Sequence, residues 1–122
     1  MKRVLVIDDD EGVRRTLGRL LERAEYEVVL APDGEEGLRR CRATAPDLVI
    51  TDIHMPGVDG IEVALTLRTW APELPVIVMS GGDRTDRLDL RGTALLLGAV
   101  RVLRKPFTID EGLSVIRGAL GG

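Results

Sequence analysis

The sequence has few aromatic residues and no excess of positive charge. Tyr26, Trp70 and Phe107 are the only aromatic side chains among 122 residues, and the 17 basic side chains are outnumbered by 20 acidic ones. Modules that bind nucleic acids by base stacking need exposed aromatic rings, and phosphate backbones need a basic surface. The composition therefore argues against direct nucleic-acid binding by this chain.

Cysteine and long apolar segments are also scarce. Cys41 is the one cysteine, which excludes an internal disulfide and favours a reducing, cytoplasmic location. No apolar run approaches the roughly 20 residues that span a bilayer, and the first residues lack the pattern of a signal peptide. We therefore expect a soluble cytoplasmic protein with no membrane association, in which Cys41 is a small packed apolar residue.

Short apolar runs, rich in β-branched residues, alternate with segments of helical periodicity. The runs are residues 4–7, 28–30, 48–50, 76–79 and 100–103, and the helical segments lie near residues 13–24, 38–43, 61–67, 88–97 and 109–120. Continuous apolar runs are typical of strands covered on both faces, as in a parallel sheet. The alternation predicts a doubly wound α/β domain of the (βα)5 type with a five-stranded parallel sheet.

Acidic, hydroxyl and ammonium groups follow the ends of these runs. The residues are Asp8, Asp9 and Asp10 after the first run, Asp52 after the third, Ser80 after the fourth and Lys105 after the fifth. In doubly wound folds the carboxyl ends of the strands form the edge that binds ligands. Carboxylates gathered in one cleft repel each other unless a cation neutralises them, and Mg²⁺ prefers oxygen ligands. We expect Asp10 to cap the first helix and the others to form a Mg²⁺-dependent phosphoryl-transfer site.

Asp52 is the candidate that accepts the phosphoryl group. A carboxylate can serve as a covalent acceptor and form an aspartyl phosphate. Asp52 ends the central run, and the Pro56-Gly57 turn soon after it leaves its side chain free to point into the cleft. Ser80 and Lys105 both donate to anionic oxygens, and the compact ammonium of lysine suits phosphate. Lys105 is one of only two lysines, the other being Lys2.

Five motifs, in order along the chain, resemble those of the response-regulator receiver domains of two-component signalling. They are Val6-Ile7-Asp8-Asp9-Asp10, Thr51-Asp52-Ile53-His54-Met55-Pro56-Gly57-Val58-Asp59-Gly60, Val78-Met79-Ser80-Gly81, Gly98-Ala99 and Lys105-Pro106-Phe107. The resemblance covers essentially the whole chain. It implies a single receiver domain over residues 1–122, with a flavodoxin-like fold of strand order 2-1-3-4-5.

The resemblance also assigns a role to each site residue. Asp52 corresponds to the phosphoacceptor, and Asp8 and Asp9 correspond to the acidic pair that binds Mg²⁺ together with Asp52. The backbone carbonyl of His54 would complete the metal ligands that the protein supplies. Ser80 corresponds to the hydroxyl that turns towards the phosphoryl group, and Lys105 to the lysine that pairs with it, with a cis bond to Pro106.

The same resemblance implies a switch rather than a conventional enzyme. Such a protein receives a phosphoryl group from the phosphohistidine of a sensor histidine kinase or phosphotransfer protein, assists its own phosphorylation and dephosphorylation, and changes its surface for a downstream partner. The sequence identifies neither the kinase nor the downstream effector. It also leaves open whether the chain is a stand-alone receiver or part of a longer protein.

Three features depart from the usual receiver pattern or suggest a second surface. Val102 occupies the position, three residues before the lysine, where receivers usually carry an aromatic residue, and the segment after Ser80 is a few residues longer than usual. Residues 95–97 are three leucines, too wide an arc for one buried helical stripe. With Arg101 and Arg104 they predict a surface for a partner or a second copy, formed by the fourth helix, fifth strand and fifth helix.

Two other functions deserve comparison. A haloacid-dehalogenase-type phosphatase with an aspartate nucleophile needs two aspartates separated by one residue, followed two positions later by Thr or Val. Asp8 and Asp10 have the required separation, but Gly12 stands where Thr or Val is needed. A flavodoxin-like flavin carrier needs a phosphate-binding loop after the first strand. Three consecutive acids there would repel a phosphate unless a cation intervened. The sequence favours the receiver over both.

Overall fold

The chain folds as alternating strands and helices. The computed structural model describes residues 1–81 and 100–121, and its elements are β1 (Arg3–Ile7), α1 (Glu11–Arg23), β2 (Glu27–Ala31), α2 (Gly34–Thr44), β3 (Leu48–Asp52), α3 (Gly60–Trp70), β4 (Val76–Ser80), β5 (Val100–Arg104) and α4 (Ile109–Ala119). The fourth helix predicted from the sequence, near residues 88–97, lies outside the described residues. The element named α4 therefore corresponds to the last of the predicted helices.

The five strands form one parallel sheet in the order β2-β1-β3-β4-β5. Each predicted apolar run lies inside one of these strands, so the predicted strand positions and the predicted order are confirmed. The register places Asp52 opposite Met79, and Ser80 opposite Arg104. The ends of β3, β4 and β5 are therefore level with one another at the carboxyl edge of the sheet.

Each face of the sheet packs against its own helices. Alternate residues of β1 belong to different cores: Val4 and Val6 pack with Leu17 and Leu21 of α1, whereas Leu5 packs on the side of α2 and α3. All of these side chains are at most 3% exposed. Burial on both faces explains why the strands appear in the sequence as continuous apolar runs.

Every described helix begins at a side-chain cap. Asp10, Asp33 and Asp59 accept hydrogen bonds from the backbone amides of Val13, Glu36 and Glu62, and Thr108 forms a reciprocal capping box with Glu111 at the start of α4. Such caps satisfy amides that have no partner inside the helix. The prediction that Asp10 caps the first helix is confirmed, and this role removes Asp10 from the set of site carboxylates.

Two further expectations concern burial and membranes. Cys41 lies in α2 and is 8% exposed, in the core between the sheet and the helices α2 and α3, as expected for a packed apolar residue. Among residues 1–81 and 100–121, no helix combines the length and the apolar character that crossing a membrane requires.

Candidate functional site

The carboxyl edge of the sheet gathers three carboxylates. One carboxylate oxygen from each of Asp8, Asp9 and Asp52 lies within 4.8 Å of the others. Asp8 follows β1 and Asp52 ends β3, and these two strands are neighbours in the sheet. Asp8 is completely buried and Asp52 is 8% exposed, whereas Asp9 is open to solvent. The sequence-based grouping of these three residues agrees with their positions.

Asp8 is held by hydrogen bonds on several sides. Its backbone amide donates to the carbonyl of Ala31 at 3.2 Å, which links the ends of β1 and β2. Its Oδ1 accepts from the backbone amide of Asp10 at 2.9 Å, and its Oδ2 accepts from Lys105 Nζ at 3.0 Å. A buried carboxylate is tolerated when it is paired and hydrogen-bonded in this way.

Lys105 brings a positive charge into the acidic cluster. Its Nζ lies 3.0 Å from Asp8 Oδ2 and 3.4 Å from Asp52 Oδ1. The backbone amide of Lys105 donates to the carbonyl of Ser80 at 2.8 Å, which fixes the lysine at the end of β4. The bond to Pro106 is cis, as the resemblance implied. The lysine therefore lies directly opposite the predicted phosphoacceptor.

The pKa values of Asp52 and Lys105 reflect burial together with an excess of negative charge. Burial raises the pKa of Asp52 above its usual value and the charge of Asp8 acts in the same direction, while Lys105 and the amide of Ile53 oppose them only in part. Burial lowers the pKa of Lys105, but the hydrogen bond to Asp8 and the charges of both carboxylates outweigh burial and raise it. One ammonium thus fails to neutralise the cluster, and an additional cation would stabilise it.

The loop after β3 fixes the backbone of Asp52. The amide of Ile53 donates to Asp52 Oδ1 at 3.1 Å, and the amide of Gly60 donates to the carbonyl of Ile53 at 3.0 Å. A Cβ added at Gly60 would lie 2.2 Å from the carbonyl oxygen of Asp52. The start of α3 therefore approaches the phosphoacceptor candidate so closely that only glycine fits at position 60 without displacement of the backbone.

Ser80 and His54 occupy the same edge of the sheet. Ser80 ends β4, is completely buried, and is level with the residue before Lys105. His54 lies two residues beyond Asp52 and is exposed. Both side chains make interactions within the protein. Their placement at the strand ends agrees with the sequence analysis, and their predicted roles as switch hydroxyl and carbonyl ligand remain predictions.

Arg14 is a contact of the site that the sequence analysis missed. Its Nη1 donates to the backbone carbonyl of Asp8 at 2.7 Å, and the side chain is half-buried beside the cleft. Its neighbour Arg15 is exposed and makes no such contact. The two arginines are adjacent in the sequence and of the same type, so nothing in the sequence distinguishes them. They differ in their placement on α1, where Arg14 is half-buried against the cleft and Arg15 is exposed.

The chemistry of the three carboxylates fits a Mg²⁺ ion. Mg²⁺ takes hard oxygen ligands at about 2.1 Å, so opposite ligands lie roughly 4.2 Å apart. One carboxylate oxygen from each of Asp8, Asp9 and Asp52 lies within 4.8 Å of the others, so the three oxygens are near enough to share one ion. The raised pKa of Asp52 is consistent with such an ion, because burial first and the charge of Asp8 second disfavour its ionised form, and a cation would stabilise that form. We conclude that the residues present suit a hard divalent cation.

Of the features that depart from the receiver pattern, Val102 lies within the described residues. Val102 lies on β5, the edge strand of the sheet, and is 36% exposed, with Arg101 and Arg104 of the same strand exposed as well. The three leucines at 95–97 and the long segment after Ser80 fall almost entirely outside the described residues. The predicted dimer surface is therefore described only on the side of β5 and α4.

Comparison with protein families gives a match over nearly the whole chain. Residues 4–117 match the family described as response regulator receiver domain. Proteins named response regulator MprA from Mycolicibacterium vanbaalenii and Mycobacterium ulcerans are 40% and 39% identical to this chain over 118 residues, which is 97% of the chain and 50% of each relative. The chain thus spans about half the length of the curated relatives it matches.

Solved structures of receiver proteins share the fold of this chain over almost its whole length. The CheY-like receiver domain protein from Methanospirillum hungatei superposes with a TM-score of 0.90 at 28% identity, covering 98% of this chain and 94% of that one. The receiver domain of NtrX from Brucella abortus gives 0.87 at 30% identity, covering 96% and 97%. Chemotaxis protein CheY4 from Vibrio cholerae gives 0.88 at 27% identity, covering 98% and 99%.

Proposed function

This chain belongs to the response regulator receiver family of two-component signalling, and from that premise we propose that residues 1–122 act as one receiver domain with Asp52 as its phosphoacceptor. The observation that carries the proposal is the position of Asp52. Its carboxylate lies at the carboxyl edge of the sheet, in contact with Lys105 and within reach of Asp8 and Asp9. Among the described carboxylates, Asp52 combines a central strand end with a contact to the lysine.

Phosphoryl transfer requires that Asp52 attack a phosphorus atom. An oxygen of the Asp52 carboxylate forms the new P–O bond while the P–N bond to the donor histidine breaks, and the departing imidazole nitrogen keeps the electron pair. The Ile53 amide holds Oδ1 of Asp52, which orients the carboxylate. Lys105 contacts both Asp52 and Asp8, so its ammonium is placed to neutralise the negative charge of the incoming phosphoryl oxygens. Such positioning and charge neutralisation dominate catalysis of phosphoryl transfer.

Mg²⁺ is the cofactor of this proposal. Asp8, Asp9 and Asp52 would hold it, with the backbone carbonyl of His54 as a further ligand. When bound, the ion supplies charge neutralisation for the phosphoryl oxygens. The protein therefore contributes the acceptor and the geometry of the cleft, and the product is a phosphorylated form of the same chain. For this reason we describe it as a switch rather than an enzyme that turns over a substrate.

The phosphodonor partner has a candidate docking surface between α1 and α4. A groove of about 530 Å³ there has an apolar floor that includes Leu20 and Leu113, and Arg19, Arg23 and Arg117 line it. Within residues 1–81 and 100–121 none of these arginines forms an ion pair. A second groove of similar size continues from it towards Asp10 and Lys105. We propose that a helix of a histidine kinase or phosphotransfer protein, apolar with acidic flanks, docks there.

The remaining parts of the proposal concern the output. A phosphoryl group contacting Ser80 and Lys105 would alter the ends of β4 and β5, and Val102 on β5 offers a packing change in place of a moving aromatic ring. The exposed face of β5 and α4 is where we expect a downstream partner or a second copy to bind. We place the whole cycle in the cytoplasm, where histidine kinases expose their phosphorylated domains.

The proposal is tested by chemical phosphorylation. The purified protein is incubated with Mg²⁺ and acetyl phosphate, and its intact mass is followed. We expect the addition of one phosphoryl group, no addition when a chelator removes Mg²⁺, and none for Asp52→Asn. A folded wild-type protein whose mass stays unchanged under these conditions would contradict the proposal.

The relatives and structures described above give no support to the alternative of a haloacid-dehalogenase-type phosphatase. The structure adds a physical reason, because Asp10, which that alternative needs in the cleft, caps α1 through the amide of Val13. A capping carboxylate that satisfies a helix amide is not directed at a substrate. We therefore do not retain this function.

A further inference from the structure

The side chain of Arg14 contacts the acidic cleft at a backbone carbonyl rather than at a carboxylate. Its Nη1 donates to the carbonyl oxygen of Asp8 at 2.7 Å. That carbonyl belongs to the peptide group joining Asp8 to Asp9, so the guanidinium fixes the plane of this peptide. A hydrogen bond from a charged donor is roughly twice as strong as one between neutral groups.

The side chain of Asp8 does not depend on this contact. Its amide is held by Ala31, its Oδ1 by the amide of Asp10 and its Oδ2 by Lys105. These three hydrogen bonds fix Asp8 whether or not Arg14 is present. If Arg14 has a role in the cleft, that role must concern the other residue of the peptide group, Asp9.

Asp9 lacks such support. It is exposed, and its carboxylate has no hydrogen-bond partner among the residues that the structure describes. Its carboxylate nevertheless lies within 4.8 Å of those of Asp8 and Asp52. Because no side-chain contact holds it there, its position follows from the backbone, and the peptide plane before Asp9 sets the direction of its side chain.

We infer that Arg14 is a positioning residue that, by clamping the Asp8–Asp9 peptide, holds the Asp9 carboxylate in place to bind a divalent cation. This inference rests on the proposed function, since it takes Asp9 to be a ligand of Mg²⁺. For the affinity of the site for a cation, this inference predicts the opposite effect of removing Arg14 from the effect that simple electrostatics predicts. Removal of a positive charge beside a cation site should strengthen cation binding, whereas loss of the clamp should weaken it.

The test compares Arg14→Met with Arg15→Met. Methionine has no donor, and Arg15 is the adjacent, exposed arginine of the same helix, so both variants lose one positive charge and only one loses the clamp. Mg²⁺ affinity is measured by calorimetry in the absence of any phosphodonor. We expect binding roughly tenfold weaker for Arg14→Met, the scale typical of residues that orient metal ligands, and within about twofold of wild type for Arg15→Met.

A second measurement reports on the peptide group itself. In the metal-free protein, the backbone amide nitrogen of Asp9 is followed by NMR, because its chemical shift responds to the hydrogen bond on the carbonyl of Asp8. We expect the signal to move in Arg14→Met and to stay in Arg15→Met. Should Arg14→Met fail to fold, Arg14→Leu, which also has no donor, takes its place with Arg15→Leu as its control, and an unchanged Asp9 signal with unchanged Mg²⁺ affinity would overturn the inference.

The outcomes separate this inference from the proposed function. If wild type binds Mg²⁺ and Arg14→Met binds it equally well or more tightly, the positioning role is wrong and the assignment of the metal site stands. If folded wild-type protein does not bind Mg²⁺ at all, the proposed metal site is wrong, and the inference about Arg14 falls with it.

Discussion

Asp8 is a fully buried carboxylate whose charge is nevertheless paired. Its two oxygens accept from Lys105 and from the amide of Asp10, and the structure thus avoids the large cost of an isolated buried charge. Asp52 is in a different situation, because Lys105 is farther from it and the charge of Asp8 is close. These two carboxylates share one lysine, and the stability of the cleft depends on how that sharing changes with pH.

Replacement of Asp52 by asparagine should stabilise the metal-free protein at neutral pH. The pKa of Asp52 is raised in the folded state, so between the ordinary value of about 3.9 and the raised value the native protein binds more protons than the unfolded chain. Wild-type stability therefore falls as pH rises through this window. We expect Asp52→Asn to melt roughly 2–4 °C higher at pH 7, with a difference that shrinks towards pH 4.

The measurement is thermal unfolding followed by circular dichroism in the presence of a chelator. Asp47→Asn changes a carboxylate on the opposite edge of the sheet, where it accepts from the amide of Arg3, and it should not reproduce the effect. A melting temperature of Asp52→Asn below that of wild type at pH 7 would show that the ionised carboxylate stabilises the cleft, contrary to the account.

Removal of the cleft lysine should destabilise the fold. Lys105→Met leaves the buried Asp8 carboxylate without its charged partner. Because Lys105 is itself partly exposed, we expect a moderate loss of about 1–3 kcal/mol in the free energy of unfolding, measured with urea. The pKa of Lys105 is raised in the folded state, so its contribution is complete below the ordinary lysine value of about 10.4 and is lost as pH rises through the raised value. Lys2→Met, at the exposed N-terminus, is the matched control, and equal stability of the two variants would contradict this prediction.

At the level of single residues, the sequence predicted the members of the site but not all of their supports. Asp8, Asp9, Asp52 and Lys105 could be grouped because strand ends in a parallel sheet meet at one edge. Arg14 could not be found in this way. Its contact is to a backbone carbonyl, which leaves no complementary residue type in the sequence.

At the level of secondary structure, the sequence predicts the positions of strands that are buried on both faces. The central strands β1, β3 and β4 are apolar over residues 4–7, 48–50 and 76–79 because helices cover each side, and these predicted runs agree with the structure. The edge strand β2 is longer than its apolar run, since it begins at the exposed Glu27. An edge strand needs an apolar side chain only where it meets the core, so its ends leave little trace in the sequence.

Two glycines in helices should respond in opposite ways to the same substitution. Gly60→Ala places a Cβ 2.2 Å from the carbonyl oxygen of Asp52, a backbone atom that cannot move without displacing the cleft. Gly18→Ala in α1 places a Cβ at 3.6 Å from Leu30, an ordinary contact. We expect Gly60→Ala to lose at least about 2 kcal/mol and Gly18→Ala to gain about 0.5–1 kcal/mol from helix propensity.

Urea denaturation of both variants measures this difference. Because alanine replaces glycine in each, the change in the entropy of the unfolded chain is shared, and the difference between the variants reports the local packing. Equal stabilities for the two would mean that α3 does not approach Asp52 as closely as described.

At the level of the whole molecule, the fold class follows from the alternation of strands and helices and the strand order from the family resemblance, whereas the partner surface follows from neither. The groove between α1 and α4 joins residues almost 100 positions apart in the chain, such as Arg19 and Arg117. No local pattern links them, and only the packing of both helices on one face of the sheet brings them together. A sequence can therefore indicate a receiver without indicating where its kinase binds.

Charge reversal in this groove should separate kinase recognition from chemistry. We expect Arg117→Glu to slow phosphoryl transfer roughly tenfold or more from any histidine kinase that phosphorylates the wild type, because it would oppose acidic residues of the partner. Phosphorylation by acetyl phosphate, which needs no docking, should change little. Arg68→Glu on α3, at the other face of the sheet, is the matched control, and similar kinase rates for the two variants would exclude the groove as the docking surface.

The central claim, that Asp52 carries the phosphoryl group, is tested most directly by chemical mapping of the acyl phosphate. The protein is treated with Mg²⁺ and acetyl phosphate, the aspartyl phosphate is reduced with borohydride to a stable alcohol, and the modified residue is located by peptide mass spectrometry. We expect modification at Asp52 alone, and none when Mg²⁺ is withheld. Modification at Asp8, Asp9 or any other carboxylate with Asp52 unmodified would contradict it.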